Sequence, residues 1–480
     1  LQLTEKDGCV LKRLILGVLG LLFSVLAIVI LAIVLLRPED GPPVTIDFTR
    51  YLADYDGATE ALPESFVAMP GDGRLLVSCA AGAGNLSVLL NGQEVLSPEV
   101  GVDCEKGLEV PVTLVADNTI AVTGDEVIGA AGSIRIKQNS EVQLHVLSRV
   151  HFNTNVSDFV ASRAFYGKLG FTTLSGFPDT NTQAMARAIG IETPTVYDGS
   201  KGDWAGGYLL HGELIGLGFL SGAIDLIEFT IPRDETPPYA KLNHLGMARA
   251  ALQTTDLDAD YEYLSSQGVR FLSAPVNRSD GTRFVIFSDP DGTFYELTEV
   301  AATGDDAGEG EAATHLVGFG PLNVNVSDFE RSRAWYQMFG FEVTKTVAGT
   351  ESGEVAKAMG FDEPFSIEGA ILTHAVDGST MELVQWLSPH DPERAYPIPV
   401  NHLGIHRTAL ATTDIAADVA TLKAQGVEFV SPVTPCCSGP DSSGSIVAFY
   451  DPDGTIVELV EQSAVSWVMP SLLRLRDLLR

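Results

Sequence analysis

Apolar residues follow two patterns along this chain. The first is a solid block, LILGVLGLLFSVLAIVILAIVLL, which fills positions 14–36 with 23 residues and no charge. About 20 apolar residues span a bilayer core as a helix. Lys12 and Arg13 precede the block, and Arg37, Pro38, Glu39 and Asp40 follow it. The excess of positive charge on the N-terminal side predicts a single-pass membrane protein, with residues 1–13 in the cytoplasm and the bulk periplasmic or extracellular. The block is long for a signal-peptide core and no Ala-x-Ala-like site follows it; a removed signal sequence is the alternative.

The second pattern is alternation. Between 41 and 145, short runs such as LLVSCA, NLSVLL, LEVPVTLVA, NTIAVTG and SIRIKQ are separated by Gly, Asn, Asp and Pro. Strands at this spacing predict a β-sandwich, which we expect to act as a spacer or as a module for a surface-protein partner. The phrase LSVLLNGQEVLSP and the runs after it resemble Ig-like modules of bacterial surface proteins.

From 148 onward the pattern repeats. NVSDFVASRAFYGKLGF at Asn155 returns as NVSDFERSRAWYQMFGF at Asn325, an offset of 170. NHLGMARAALQTTDLDADYEYLSSQGVRFLSAPV at Asn243 returns at Asn401, offset 158, and FSDPDGTFYELTE returns as FYDPDGTIVELVE, offset 162. Two homologous domains follow, 148–300 and 315–463. The drift in offset places a longer loop between Gly170 and Asp225 of the first copy. The segment 301–314, with four acids and no base, predicts a flexible linker. Residues 464–480 are expected to form a C-terminal helix or tail.

Within a copy the pattern predicts strand, helix, three strands, then the same again. In the first strand, Arg149 to Val156, the residues Val150, Phe152 and Val156 alternate with His151, Asn153 and Asn155, so one face is apolar and the other carries His-Asn-Asn. Asp158 is placed to cap a helix that stops at Gly170. In the second half, strand Arg249–Thr254 leads to cap Asp256 and a helix stopped by Gly268. Asp289-Pro-Asp-Gly292 marks the closing hairpin.

The formal charge of -33, from 63 acidic and 30 basic residues, disfavours nucleic acid and anionic lipid as partners. Of the five cysteines, Cys79 and Cys104 share the predicted sandwich and form a disulfide candidate. Cys436-Cys437 lies in a Pro/Gly/Ser stretch that reads as a plain loop, with a vicinal disulfide as the alternative.

The repeated motifs resemble those of the vicinal oxygen chelate superfamily, which includes glyoxalase I, extradiol dioxygenases and the bleomycin- and fosfomycin-resistance proteins. The signature V-x-D-x3-S-x2-F-Y followed by L-G-F is met from Val156 to Phe171. It is met from Val326 to Phe341 with Trp335 and Phe339 substituted. D-P-D-G-x3-E-L is met at Asp289–Leu297 and Asp451–Leu459. The resemblance implies an α+β fold of two tandem domains, each of two βαβββ modules curled around a cleft.

It also implies four ligand positions per cleft: His151, Asp225, Arg249 and Glu296 in the first domain, and Pro321, Glu382, Arg407 and Glu458 in the second. Metal-dependent relatives hold a divalent ion there, which binds two neighbouring substrate oxygens. Arg249 and Arg407 depart from that pattern, because a guanidinium has no acceptor for a metal. His151, Asp225 and Glu296 remain as a metal set for the first domain. Each arginine is expected to pair with the carboxylates of its own domain and lock the two half-sheets together, or to meet an anionic ligand. Asn153, Asn155, Asn323 and Asn325 are cleft-facing or bond across the strand seam. His244, His402 and His406 read as solvated or capping residues, the last two kept apart by the strand.

Three functions fit: a membrane-anchored protein binding a small oxygen-bearing organic molecule without metal or other cofactor; a metal-dependent lyase, isomerase or dioxygenase working through the first domain; or an interaction module at the cell surface.

Overall fold

The computed structural model describes residues 43–461 apart from 56–63, 80–85, 98–99, 101, 103–105, 125–131, 180, 192–206, 219–221, 303–312, 392 and 437–443. The apolar block 14–36, the flanking residues 1–13, the tail 464–480, most of the acidic linker and Cys104 of the Cys79–Cys104 candidate pair lie outside the residues so described. Among the described residues no helix is long and apolar enough to cross a membrane.

Among the described residues the N-terminal part holds eight strands, β1 (Val44–Tyr55), β2 (Glu64–Val67), β3 (Gly71–Cys79), β4 (Leu86–Leu90), β5 (Gln93–Leu96), β6 (Leu108–Leu114), β7 (Asp117–Gly124) and β8 (Gly132–Val142). They form two antiparallel four-stranded sheets, β1-β8-β3-β6 and β2-β7-β4-β5. Alternation decides which side chains are inside: Phe48, Leu75, Ile134 and Ile136 of one sheet and Val88, Leu90 and Ile120 of the other are buried.

Four modules follow. Module one is β9 (Val146–Asn155), α1 (Phe159–Lys168), β10 (Thr172–Gly176), α2 (Gln183–Ala188), β11 (Leu209–Gly216) and β12 (Ile224–Ile231). Module two is β13 (Arg249–Thr254), α3 (Leu257–Ser266), β14 (Arg270–Phe271), β15 (Val276–Asn277), β16 (Arg283–Ser288) and β17 (Phe294–Glu299). Module three is β18 (Leu316–Asn325), α4 (Phe329–Gln337), β19 (Phe341–Thr350), α5 (Gly353–Ala358), β20 (Ser366–His374) and β21 (Thr380–Ser388). Module four is β22 (Gly404–Thr412), α6 (Ile415–Ala424), β23 (Thr434–Cys436), β24 (Gly444–Tyr450) and β25 (Ile456–Glu461).

The caps stand where the pattern put them. Asp158 accepts from the Ala161 N–H and Asp256 from the Ala259 N–H. Gly170 and Gly268 follow the helices at φ +96° and +83°, which glycine adopts without strain. The short helices α2 and α5 were not anticipated; six residues give too little periodicity to read. Cys436 ends a strand and is disulfide-bonded, so the plain-loop reading fails at that residue.

The modules do not pair within their own repeat. One sheet runs β10-β11-β12-β9-β22-β25-β24-β23, joining module one to module four. The other runs β14-β16-β17-β13-β18-β21-β20-β19, with β15 beside β16, joining two to three. The seams are antiparallel: Asn153 faces Arg407 across β9–β22, and Ala250 faces Leu322 across β13–β18.

Modules of one repeat instead meet through the apolar faces of the two sheets and through their signature motifs. The Tyr166 hydroxyl lies 3.2 Å from Asp289 Oδ2, and the Ser157 N–H donates to Asp291 Oδ2 at 2.9 Å. In the second repeat Tyr336 reaches Asp451 at 3.1 Å and the Ser327 N–H donates to Asp453 at 3.0 Å. The motifs therefore clasp one another at the helix start and the hairpin turn. A second clasp crosses each seam. The His145 N–H donates to buried Asp418 at 2.9 Å, and the His315 N–H to buried Asp260 at 2.8 Å.

Splitting the repeats would bare β9 and β13 as open apolar edges. Fragments 146–300 and 314–461, made separately, should aggregate or self-associate. Mixed during refolding, they should elute as a one-to-one complex in size-exclusion chromatography with light scattering. Two stable monomers would contradict the shared sheets.

Candidate functional site

The seam pairing redistributes the residues proposed for each site. The first cleft lies over β12, β9, β22 and β25. It gathers His151, Asp225, Arg407 and Glu458, from opposite ends of the repeat region. The second lies over β17, β13, β18 and β21 and gathers Arg249, Glu296 and Glu382, with Pro321 on β18. The expected sets, four residues from each repeat, are thus corrected: Asp225 belongs with Arg407, and Arg249 with Glu382 as well as Glu296. The reason is topological. A module's sheet continues into its neighbour across the seam, and that neighbour is the other repeat.

In the first cleft, parallel β12–β9 pairing sets Asp225 beside Asn153, and the antiparallel seam sets Asn153 beside Arg407. Asn153 Nδ2 donates to Asp225 Oδ2 at 2.9 Å, and His151 Nε2 lies 3.0 Å from the same oxygen. Arg407 Nε is 2.9 Å from Glu458 Oε1, yet neither atom has a well-aligned hydrogen bond. Arg407 Nη1, Asp225 Oδ1 and Asn153 Oδ1 are likewise buried without a partner. Burial pushes Asp225 up to about 7, against the pull of Arg407 and Asn153. Burial also lowers His151 to about 4, so it is uncharged at neutral pH. Glu458 is raised by burial, with Arg407 opposing.

Asp225 and Arg407 open onto a cleft of about 470 Å³ with apolar walls from Phe177, Met185, Tyr208, Leu210 and Phe229. The Tyr208 hydroxyl bonds Asn181. None of these wall residues was singled out from the sequence. They flank the longer loop of the first copy, where no motif marks them.

The charged groups of the second cleft bond one another, although Asn323 Oδ1 is buried without a partner. Arg249 donates from Nε to Glu296 Oε2 at 2.9 Å and from Nη2 to Glu382 Oε2 at 2.5 Å. Arg278, which the sequence gave no reason to choose, donates from both Nη atoms to Glu296, at 2.7 and 3.0 Å. Its guanidinium lies 3.8 Å from the Phe284 ring centroid. Asn323 donates to Glu382 at 3.3 Å. Phe365, Ile367, Met359 and Trp386 pack beside Phe284 in a buried cluster.

Asn155 and Asn325 take the seam role. Asn155 donates to the carbonyls of Val400 and His402, and Asn325 to those of Leu242 and His244. His244, His402 and His406 are buried, not solvated. The rings of His402 and His406 are 4.5 Å apart, contrary to the expected separation. His402 sits in a turn before β22, Gly404 has φ +100°, and the seam register shifts between Ile405 and Arg407, so the chain folds back on itself.

No group of three or more His, Cys, Asp or Glu among the described residues is arranged to hold a metal ion. In both clefts an arginine occupies the fifth-strand ligand position. It sits against the very carboxylate a metal would need, so the donors present do not fit a divalent ion.

The family model for the Glyoxalase/Bleomycin resistance protein/Dioxygenase superfamily matches residues 148–297 and 318–459. Among solved structures, the chain is similar to glyoxalase I from Zea mays at 18% identity and TM-score 0.46, covering 68% of this chain and 95% of that one. It is similar to a variant of 4-hydroxymandelate synthase from Streptomyces coelicolor at 14% identity and TM-score 0.23, covering 69% and 100%. It is also similar to a fosfomycin resistance protein from Listeria monocytogenes at 18% identity and TM-score 0.22, covering 31% and 94%. No curated protein matches the chain.

Burial alone would raise the Glu296 carboxyl; Arg278 and Arg249 outweigh it and lower it to about 2. A carboxylate depressed on folding stabilises above its unfolded value and loses that contribution as pH falls through its folded one. Glu296→Gln should therefore lower stability on the order of 3 kcal/mol near neutral pH. That deficit should shrink as pH falls from about 4.5 toward about 2. Urea unfolding of both proteins across this range tests it; a deficit independent of pH would refute the charge lock.

Proposed function

The chain belongs to the Glyoxalase/Bleomycin resistance protein/Dioxygenase superfamily, and from that premise we propose that it binds a small oxygen-bearing organic molecule in the first cleft, without a metal. The observation that carries this is the contrast between the clefts. The second fills its polar centre with its own side chains. The first leaves Arg407 Nη1 and Asp225 Oδ1 buried without a partner and its Arg407–Glu458 contact misaligned, beside a cleft with apolar walls. Buried polar atoms are ordinarily bonded, and an apolar cleft with a few convergent polar groups suits a small ligand.

Arg407 occupies the position that would otherwise give a fourth metal ligand. Arg407→His would place a second imidazole beside His151, Asp225 and Glu458, a donor set suited to Zn, Ni, Mn or Fe. Wild type should show no stoichiometric metal by isothermal titration and elemental analysis. The variant should gain one equivalent, with affinity raised by at least about tenfold. A tight one-to-one metal in wild type would replace this reading with a metalloenzyme acting through the first cleft.

The block at 14–36 supports tethering of this binding unit to a membrane, on the outer side. Protease added to intact cells should degrade the repeats and spare an N-terminal stub. Full protection of the repeats would reject that topology.

A further inference from the structure

The second cleft contains a built-in counterpart of a ligand, and the repeat shows where the first cleft would seat its own. In β16, Phe284 pairs with Val276 and Thr298; in β24, Ile446 pairs with Thr434 and Val460. Thr298 and Val460 are equivalent at the 162-residue offset. Two positions past Val276 stands Arg278, and two past Thr434 stands Cys436. Arg278 lays its guanidinium over Phe284 and donates twice to Glu296. Cys436 is buried and disulfide-bonded and supplies no cation.

The second cleft thus sets two guanidiniums against the carboxylates of Glu296 and Glu382. The first sets one, Arg407, against Glu458 and Asp225. Its surplus acceptor is Asp225 Oδ1, buried without a partner in a residue 8% exposed, and Glu458 Oε1 has only the misaligned contact with Arg407 Nε at 2.9 Å. Arg278 also holds Glu296 where Arg249 can bond it in line. Among the described residues Glu458 has no such second donor, and its contact with Arg407 is misaligned. An anion placed here would gain Arg407 but face the carboxyl oxygens of Glu458 and Asp225. The overall charge of -33 favours approach of a cation.

We propose that the first cleft takes a small organic cation, an ammonium or guanidinium head on an apolar body, with the head at the position Arg278 occupies in the second cleft and the body against Met185, Tyr208, Leu210 and Phe229. The proposal rests on the first cleft being the ligand-binding one. The head donates to Glu458 and toward Asp225, and the apolar walls cover the rest of the molecule.

Three probes sharing a body and differing in head separate the cases: 2-phenylethylamine, 3-phenylpropanoate and 2-phenylethanol. Each is titrated calorimetrically, to millimolar concentration, into the full-length chain in detergent micelles. The amine should bind one per chain, at least about tenfold tighter than the other two. Glu458→Gln should weaken the amine by about tenfold and leave the alcohol unchanged. Asp225→Asn is the second variant should Glu458→Gln melt early by circular dichroism. Tighter binding of the carboxylate or the alcohol would overturn the cation and keep the cleft as a binding site. Amine binding untouched in both variants would place it elsewhere and overturn the seat proposed. No binding of any probe would overturn this inference and count against the proposed function as well.

Discussion

The antiparallel seam between repeats is the constraint on which the other features depend. A strand such as β9 has two edges, and β12 covers only one. Left open, the other edge would expose unpaired backbone groups beside a buried apolar face. β22 closes it, and β18 does the same for β13. Both sheets are thereby chimeric, half from each repeat. Residues on a seam strand are thereby set beside the other copy, as Asn153 is beside Arg407. The clasps of Asp418 on His145 and of Asp260 on His315 secure the same junctions beyond the sheet.

Two copies of one motif have then diverged in opposite directions. Around Glu296 every carboxylate oxygen has a charged or hydroxyl donor: Arg278 and Thr298 on Oε1, Arg278 and Arg249 on Oε2. Breaking such a buried network costs several kcal/mol, about 3–5 for one partner, because the remaining charge stays desolvated. Around Glu458 the network is incomplete, and polar atoms remain unsatisfied next to an accessible cleft. Charge pairing is therefore denser around Glu296 than around Glu458.

The N-terminal sheets are not detached from this arrangement. Arg50 of β1 pairs with Asp328, the residue that caps α4, and Arg333 donates to the Asp47 carbonyl at 3.2 Å. Pro70 lies close against Gly426, so close that a Cβ there would meet its ring at 2.7 Å. The contacts fall on modules three and four of the second repeat. The residue of the first repeat that corresponds to Arg333 is Arg163, which bonds Glu213 and Thr173 instead.

What the sequence by itself determined is local and periodic. Alternation put Phe152 inside and His151 and Asn153 on the other face. Asp158 and Asp256 cap the predicted helices, and the D-P-D-G turns fall where they were read, since each rests on contacts within a few residues. The repeat and the family were legible for the same reason. What only the tertiary structure decided is which strand lies beside which. Offset and periodicity are unchanged whether β13 or β22 borders β9, so Arg249 and Arg407 could not be assigned to their clefts. Arg278 was invisible because its partners, Glu296 and Phe284, come together only when a hairpin folds over the sheet. The contact of His402 with His406 depends on a turn and a register shift, and strand periodicity records neither.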